Sequence, residues 1–138
     1  MFLLDTNVVS ELRRPSKADR RVREWAEGLP VASFFLSAIT VLELELGALL
    51  VLRRDEVQGS ALRRWIDLQI LPQFEGRILP VDTVVAQQCA RFHVPDPRAD
   101  RDALIAATAR IHDLTVVTRN VSDFEPMGVA FFNPWSPR

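Results

Sequence analysis

Five short runs in the chain are nearly all apolar rather than alternating: "FLLD" near the start, "ASFFLS" from Ala32, "RILPVD" from Arg77, "LTVVT" from Leu114 and "VAFF" from Val129. A strand with one wet face alternates polar and apolar residues, whereas a strand covered on both faces does not. These runs therefore read as strands of a parallel sheet with helices on either side. Helical patterns lie between them, over 8–13, 20–28, 40–53, 55–71, 83–92 and 102–112. Strands alternating with helices imply parallel βαβ units. The expected fold is α/β, a three-layer αβα sandwich with a central parallel sheet, in one domain over residues 1–138. "HVPDPRADRD" from His93 reads as a proline-interrupted loop ahead of a helix, not as a hinge between domains.

Composition narrows the function classes. No apolar run reaches the roughly 18 to 20 residues that span a bilayer. The start "MFLLDTN" has no basic segment and meets an acid at once, unlike a secretory signal. Cys89 is the only cysteine, so no intrachain disulfide forms and a reducing cytoplasm is the expected compartment. Its neighbours make Cys89 a small buried hydrophobe. A net charge of −1 is unlike a DNA-coating protein, which is usually strongly basic. Lys17 is the only lysine, so nearly all positive charge is arginine, the residue suited to bidentate phosphate contacts.

In parallel sheets, sites form outside the carboxyl ends of the strands. Asp5, Ser37, Asp82 and Thr118 fall there. Asp5 closes the first run and precedes "TNVVSEL"; it either helps start the next helix or serves a site, with Thr6 or Asn7 the expected N-cap. Glu43 forms a T-x-x-E capping box with Thr40 or faces a site. Glu45 lies about 200° around the helix from Glu43, so only one of them faces a common site. Gly47, one turn after Glu43, leaves room for a ligand on the Glu43 face. Asp102 opens "DALIAATARI", whose small residues let a helix pack closely on a sheet. Asp100 is the expected cap, leaving Asp102 free. Asp123 follows the strand "LTVVT", where Ser122 caps a short turn and Thr118, Arg119 and Asn120 share the loop.

Singly, each acid has an ordinary structural reading. Together they place carboxylates after the first strand, on the helix after the second, at the start of a later helix and after the fourth strand. Acids gathered at the strand ends repel one another unless a cation sits among them. Oxygen-only ligands suit Mg²⁺ or Mn²⁺, ions that activate water and stabilise charge on a phosphodiester. His93 and His112 lack zinc-ligand spacing, and His112 reads as a helix C-terminal cap. No G-x-S-x-G or Walker lysine loop is present.

"LLDTNVVSEL", "SAITVLELELGA", "DALIAATARIHDLTVVTRN" and "SDF" resemble, in order and spacing, the sequence blocks of PIN-domain ribonucleases. The nearest likeness is to the VapC-type toxins of bacterial toxin–antitoxin pairs, including the FitB-like subgroup, and it covers nearly the whole chain. The resemblance implies a parallel sheet flanked by helices and a Mg²⁺- or Mn²⁺-dependent ribonuclease. Asp5, Glu43 and Asp102 match the family's metal-binding acids, and Asp123 its more variable fourth acid, with Asn7, Thr118 and Asn120 in support. It also implies structured RNA, often transfer RNA, as substrate. The expected partners are a cognate VapB-type antitoxin, a second copy in a homodimer, and a larger toxin–antitoxin hetero-oligomer, with no membrane.

An acidic pocket repels RNA, so a rim of arginines is expected to hold phosphates around it. Arg13, Arg14, Arg53, Arg54, Arg98 and Arg119 are the candidates. Trp25 and Leu29, with Leu46, Leu49 and Leu50, either line a groove for an antitoxin helix or belong to the core. "FFNPWSPR" reads as a packed tail. Three other readings remain, one of them a nuclease directed at DNA. A haloacid-dehalogenase-like phosphatase wants a second acid where Asn7 stands and a later lysine. A PIN-like binding module without activity has no need of the acids.

Overall fold

A computed structural model describes residues 1–137. Strand β1 (Phe2–Leu4) leads into α1 (Thr6–Glu11) and α2 (Arg20–Glu27). Then come β2 (Phe34–Ser37), α3 (Ala38–Arg54) and α4 (Glu56–Trp65). A short helix α5 (Leu71–Gln73) precedes β3 (Ile78–Leu79), α6 (Thr83–Phe92) and α7 (Asp100–Ile111). The chain closes with β4 (Thr115–Val117), α8 (Val121–Phe124) and β5 (Phe131–Phe132).

The five strands form one sheet in the order β3-β2-β1-β4-β5, and every pairing is parallel. Consecutive side chains of a strand face opposite sides of the sheet, and β1 shows why its run is wholly apolar. Leu3 enters a core with Val85, Ile105, Val116 and Phe124 on the α6–α7 side. Leu4 enters a second core with Val8, Leu36, Trp65 and Ile66 on the α1–α4 side. Burying each such side chain contributes about 1.5–3 kcal/mol. In α7, Ala103, Ala106, Ala107 and Ala109 are all fully buried, so the helix seats closely on the sheet as its small residues imply.

The expected elements hold, with shifted edges. The first helix starts at Thr6, two residues before the expected 8–13 span. The pattern over 55–71 is not one α-helix: α4 gives way to a π-helical turn, Ile66–Ile70, before α5. Pro72 has no N–H to return to the preceding turn and its ring needs space; the wider turn, with Leu71 N–H reaching Ile66 O, provides it. Strand β3 is only two residues, because Pro80 ends the ladder.

Because β2 and β3 lie on one side of β1 and β4 and β5 on the other, β1 and β4 flank the point where strand order reverses. Crevices at such points are where ligands bind in open α/β sheets. The register puts Leu4 beside Val117, so the next residues, Asp5 and Thr118, leave the sheet side by side.

Candidate active site

Asp5 is buried at 5% exposure and fully engaged. Its Oδ1 accepts from Thr6 N at 2.8 Å, and its Oδ2 accepts from Thr118 Oγ1 at 2.8 Å and Asn7 Nδ2 at 3.3 Å. Asp5 is thus the N-cap of α1, the role expected of Thr6 or Asn7. A carboxylate is as good a cap as an amide or hydroxyl, and here one oxygen caps while the other faces β4. Asn7 is a latch instead. Its Nδ2 also approaches Thr118 Oγ1 (3.4 Å), and its Oδ1 accepts from Arg119 N (3.3 Å). Burial pushes the Asp5 carboxyl above its ordinary range; the Thr118 hydroxyl and Thr6 amide pull it back, and the charges of Glu43 and Asp123 add to the rise.

Glu43 comes from α3. Ser37 caps that helix, accepting from Ile39 N at 3.0 Å, so Thr40 lies inside the first turn and the Thr40–Glu43 capping box does not form. Glu43 is free to reach across, and its Oε1 accepts from Thr6 Oγ1 at 2.7 Å. Arg101 Nη1 stands 3.8 Å from its other oxygen. Glu45, as the helical geometry requires, points elsewhere and pairs with Arg63 at 2.7 Å. Gly47 has open space where a Cβ would stand, beside a cavity of about 230 Å³ lined by Thr6, Ser10, Arg13 and Glu43.

Asp102 is the third residue of α7. The expected cap, Asp100, is instead the helix's first residue: Ala99 holds the cap position, and Asp100 lies 3.4 Å from His93 Nε2. The Asp102 carboxyl is pushed up to about 6, first by burial and then by the charges of Asp5, Asp123 and Glu43. Asp123 is exposed on α8, its N–H bonded to Asn120 O at 3.0 Å. Asn120 rather than Ser122 occupies the α8 cap position, and no side chain bonds there. Asn120 N donates to Thr118 Oγ1 at 2.9 Å, which holds the loop against the strand end.

Four acids from four elements therefore face one region, close enough for each of the other three to raise Asp102. All their ligand atoms are oxygen, the donor set of Mg²⁺ or Mn²⁺ rather than zinc. Among the described residues no three Asp, Glu, His or Cys side chains are gathered to hold an ion as they stand. Asp5 and Glu43 are turned toward protein donors. The residues fit the group.

Thr6, expected from the sequence only as a cap, and Arg101, not singled out from it, belong to the site's surroundings. Both had a signal. Thr6 follows the strand-end acid directly, and Arg101 is a cation in a helix's first turn, where the dipole disfavours positive charge. The arginines divide. Arg119 lies over the Trp135 ring (5.2 Å) and Arg13 over Trp65 (5.8 Å). Arg53 and Arg54 are exposed in the last turn of α3, and the Nε of Arg98 is buried without a partner among the described residues. His112 sits at the C-cap of α7. Cys89 is buried and its thiol pushed up by burial and Asp100, which suits a packed residue.

Trp25 packs edge-on to Phe2 (centroids 5.3 Å) and against Phe34 and Phe132; it is partly buried against the α1–α4 core. Leu29 borders a groove of about 320 Å³ with Leu12, Ala26 and Phe74. Leu46, Leu49 and Leu50 are exposed on α3. The tail packs as expected, with Trp135 against the α1–α4 core; Arg138 lies outside the described residues. No helix is long and apolar enough to cross a membrane among the described residues.

A five-stranded parallel sheet flanked by helices, with carboxylates at its switch point, defines an α/β protein with a crevice at the strand ends. The PIN domain description matches residues 2–126, and the chain belongs to the PIN domain family. It is 44% identical over 141 residues to Toxin FitB of Neisseria gonorrhoeae, covering 98% of this chain and 99% of that protein. It is 34% identical over 142 residues to VapC ribonuclease Y4jK of Sinorhizobium fredii, covering 99% of each. The crystal structure of FitAcB from Neisseria gonorrhoeae superposes with a TM-score of 0.90 at 43% identity, covering 99% of this chain and 100% of that one. A toxin–antitoxin complex from Klebsiella pneumoniae matches at a TM-score of 0.71 and 25% identity, covering 99% of this chain and 100% of that one.

Proposed function

We propose that this chain is the toxin of a bacterial toxin–antitoxin pair and acts as a Mg²⁺- or Mn²⁺-dependent endoribonuclease in the cytoplasm. The observation that carries the reading is the crevice beyond β1 and β4, where Asp5 and Thr118 leave the sheet side by side and Glu43 reaches across from α3 to Thr6; Asp102, pushed up by burial and by the charges of Asp5, Asp123 and Glu43, belongs with them. Four like charges held together are costly without a compensating cation, and the named relatives include a toxin and a ribonuclease.

In this reading Asp5, Glu43 and Asp102 hold the ion, with Asp123 at the open side. The bound cation would supply charge stabilisation and an activated water for phosphodiester hydrolysis. The chain's own residues prepare the site. Thr118 and Asn7 fix one Asp5 oxygen, the Thr6 amide fixes the other, and the Thr6 hydroxyl orients Glu43. Burial of Asp5 keeps water away from that wall of the site. Structured RNA, transfer RNA among the candidates, is the substrate class.

A VapB-type antitoxin is the partner, with one of its helices seated in the groove bordered by Leu12, Ala26 and Leu29. The exposed leucines of α3 suit assembly into a homodimer and a larger hetero-oligomer with the antitoxin. The test is cleavage of total bacterial RNA by wild type and Asp5→Asn in Mg²⁺, Mn²⁺ and EDTA. Discrete cuts that need metal and vanish in the variant are expected. Identical RNA profiles for both proteins under every condition would remove the enzymatic reading.

A further inference from the structure

Three of the cavities that open on the α1–α4 side share Arg13 as a wall. The first, about 230 Å³, contains Glu43 and Thr6 and so opens on the acid cluster. The second, about 340 Å³, adds Arg14 and Lys17; the third, about 370 Å³, adds Arg14 and Arg64. Ser10 is shared by the first and second, and Trp65 by the first and third. The cavities therefore adjoin, running from the acids past Arg13 to a cluster of cations.

Those cations are not neutralised within the chain. Among the described residues, Arg13, Arg14, Lys17 and Arg64 make no ion pair, whereas Arg63, one residue away, is committed to Glu45 and Asp67. The one acid lining the cluster, Glu11, has an oxygen taken up by Asp19 N at 2.7 Å. Arg13 lies over the Trp65 ring, 5.8 Å from its centroid, which positions the guanidinium while leaving its N–H donors unbonded among the described residues. Such preorganisation lowers the ordering cost of binding. Burial and the nearby Arg14 hold the Arg13 guanidinium below its ordinary value, as expected for cations crowded without a counter-charge.

We infer that Arg13, Arg14, Lys17 and Arg64 form a phosphate track that carries the RNA backbone from the α1–α4 side into the acid cluster. Arg13 is its entry residue. The inference rests on the ribonuclease reading and gives the substrate a direction: across α1 toward α4. Arg119, stacked on Trp135, and Arg53 and Arg54, at the far end of α3, lie off the track.

The test is binding of a short fluorescein-labelled oligouridylate by fluorescence anisotropy in EDTA over a range of salt, using Asp5→Asn as the parent so that nothing is cleaved. Each single-strand phosphate contact contributes about 0.7 to the slope of log affinity against log salt. Arg14→Ala with Arg64→Ala is expected to lower the slope by about 1.4 and to weaken binding more than tenfold near 0.1 M salt. Arg14→Lys with Arg64→Lys should restore most of the slope, and Arg53→Ala with Arg54→Ala should leave it as in the parent. An unchanged slope in the Arg14/Arg64 double variant, or a parent that binds no RNA, would overturn the track. The two readings separate cleanly. RNA cleavage with an unchanged slope keeps the ribonuclease and removes the track, whereas binding through Arg14 and Arg64 by a wild type that cuts nothing does the reverse.

Discussion

Thr118 Oγ1 donates to Asp5 Oδ2 at 2.8 Å although 113 residues separate them. The register that sets Leu4 beside Val117 produces the contact, and both residues are buried. Thr118→Val keeps the shape and removes the donor. Losing a hydrogen bond to a buried charged group typically costs about 1.5–3 kcal/mol. The Asp5 carboxyl, already raised, should rise further when the hydroxyl that lowers it is gone. The expected outcome is a lower affinity for Mn²⁺, read by thermal shift, and RNA cleavage reduced about tenfold or more, with Thr118→Ser close to wild type. If Thr118→Val matched wild type in both, Asp5 would not depend on this donor.

Glu43 and Glu45 make a matched pair for testing which face of α3 serves the site. Glu43 accepts from Thr6 across the crevice, while Glu45 pairs with Arg63 on a partly exposed face. Glu43→Gln should abolish cleavage with little change in stability. Glu45→Gln should leave cleavage intact and cost no more than about 1 kcal/mol, since exposed ion pairs contribute little. Cleavage rates and urea midpoints of the two variants decide the matter, and equal loss of cleavage in both would show that the assignment by helical face is mistaken.

Gly59 carries a packing constraint rather than a chemical one. A Cβ there would stand 2.4 Å from the Cα of Leu52, so α4 crosses α3 with backbone nearly in contact. In an isolated helix Gly→Ala stabilises by up to about 1 kcal/mol. Here the clash must push two helices apart, and overpacking of this kind costs about 1–3 kcal/mol. Gly59→Ala should lower the melting temperature, whereas Gly47→Ala, with open space around it, should raise it slightly. Calorimetry of both variants checks the sign.

The layered fold was legible because β1 is buried on both faces, which writes an unbroken apolar run, and because α7 is built of small residues that only a close-packed helix needs. The positions of the candidate acids were legible: strand end, following helix, helix start. Their local roles were not. Capping is decided by which side chain the backbone turn brings into reach, so Asp5 caps α1 and Ser37 caps α3 although Asn7 and Thr40 carry equally good groups. Trp25 and Leu29 both pack, partly buried, against the α1–α4 core, and the aromatic contacts of Trp25 with Phe2 and Phe34 are set by tertiary packing that the sequence does not spell out. Arg63 and Arg64 are indistinguishable in sequence. Their fates part because α4 turns one toward Glu45 and Asp67 and the other toward the Arg14 cavity.

In the metal-free protein Asp102 should contribute less to stability at neutrality than in mild acid, against the usual behaviour of carboxylates. Asp102 titrates near 3.8 when unfolded and at about 6 in the fold. Between those values the native state binds more protons than the unfolded chain, so stability falls as pH rises through that window and the full penalty applies above it. Asp102 is only partly buried, so solvent screening reduces the penalty to about 1 kcal/mol. Asp102→Asn cannot titrate. Urea unfolding in EDTA should therefore show the variant gaining on wild type by about 1 kcal/mol between about pH 4 and pH 7. A saturating divalent cation should reverse the order at neutrality, because it binds the wild-type fold and not the unfolded chain. A stability difference that stays constant with pH would mean that Asp102 does not feel Asp5, Asp123 and Glu43, and the four acids would no longer count as one site.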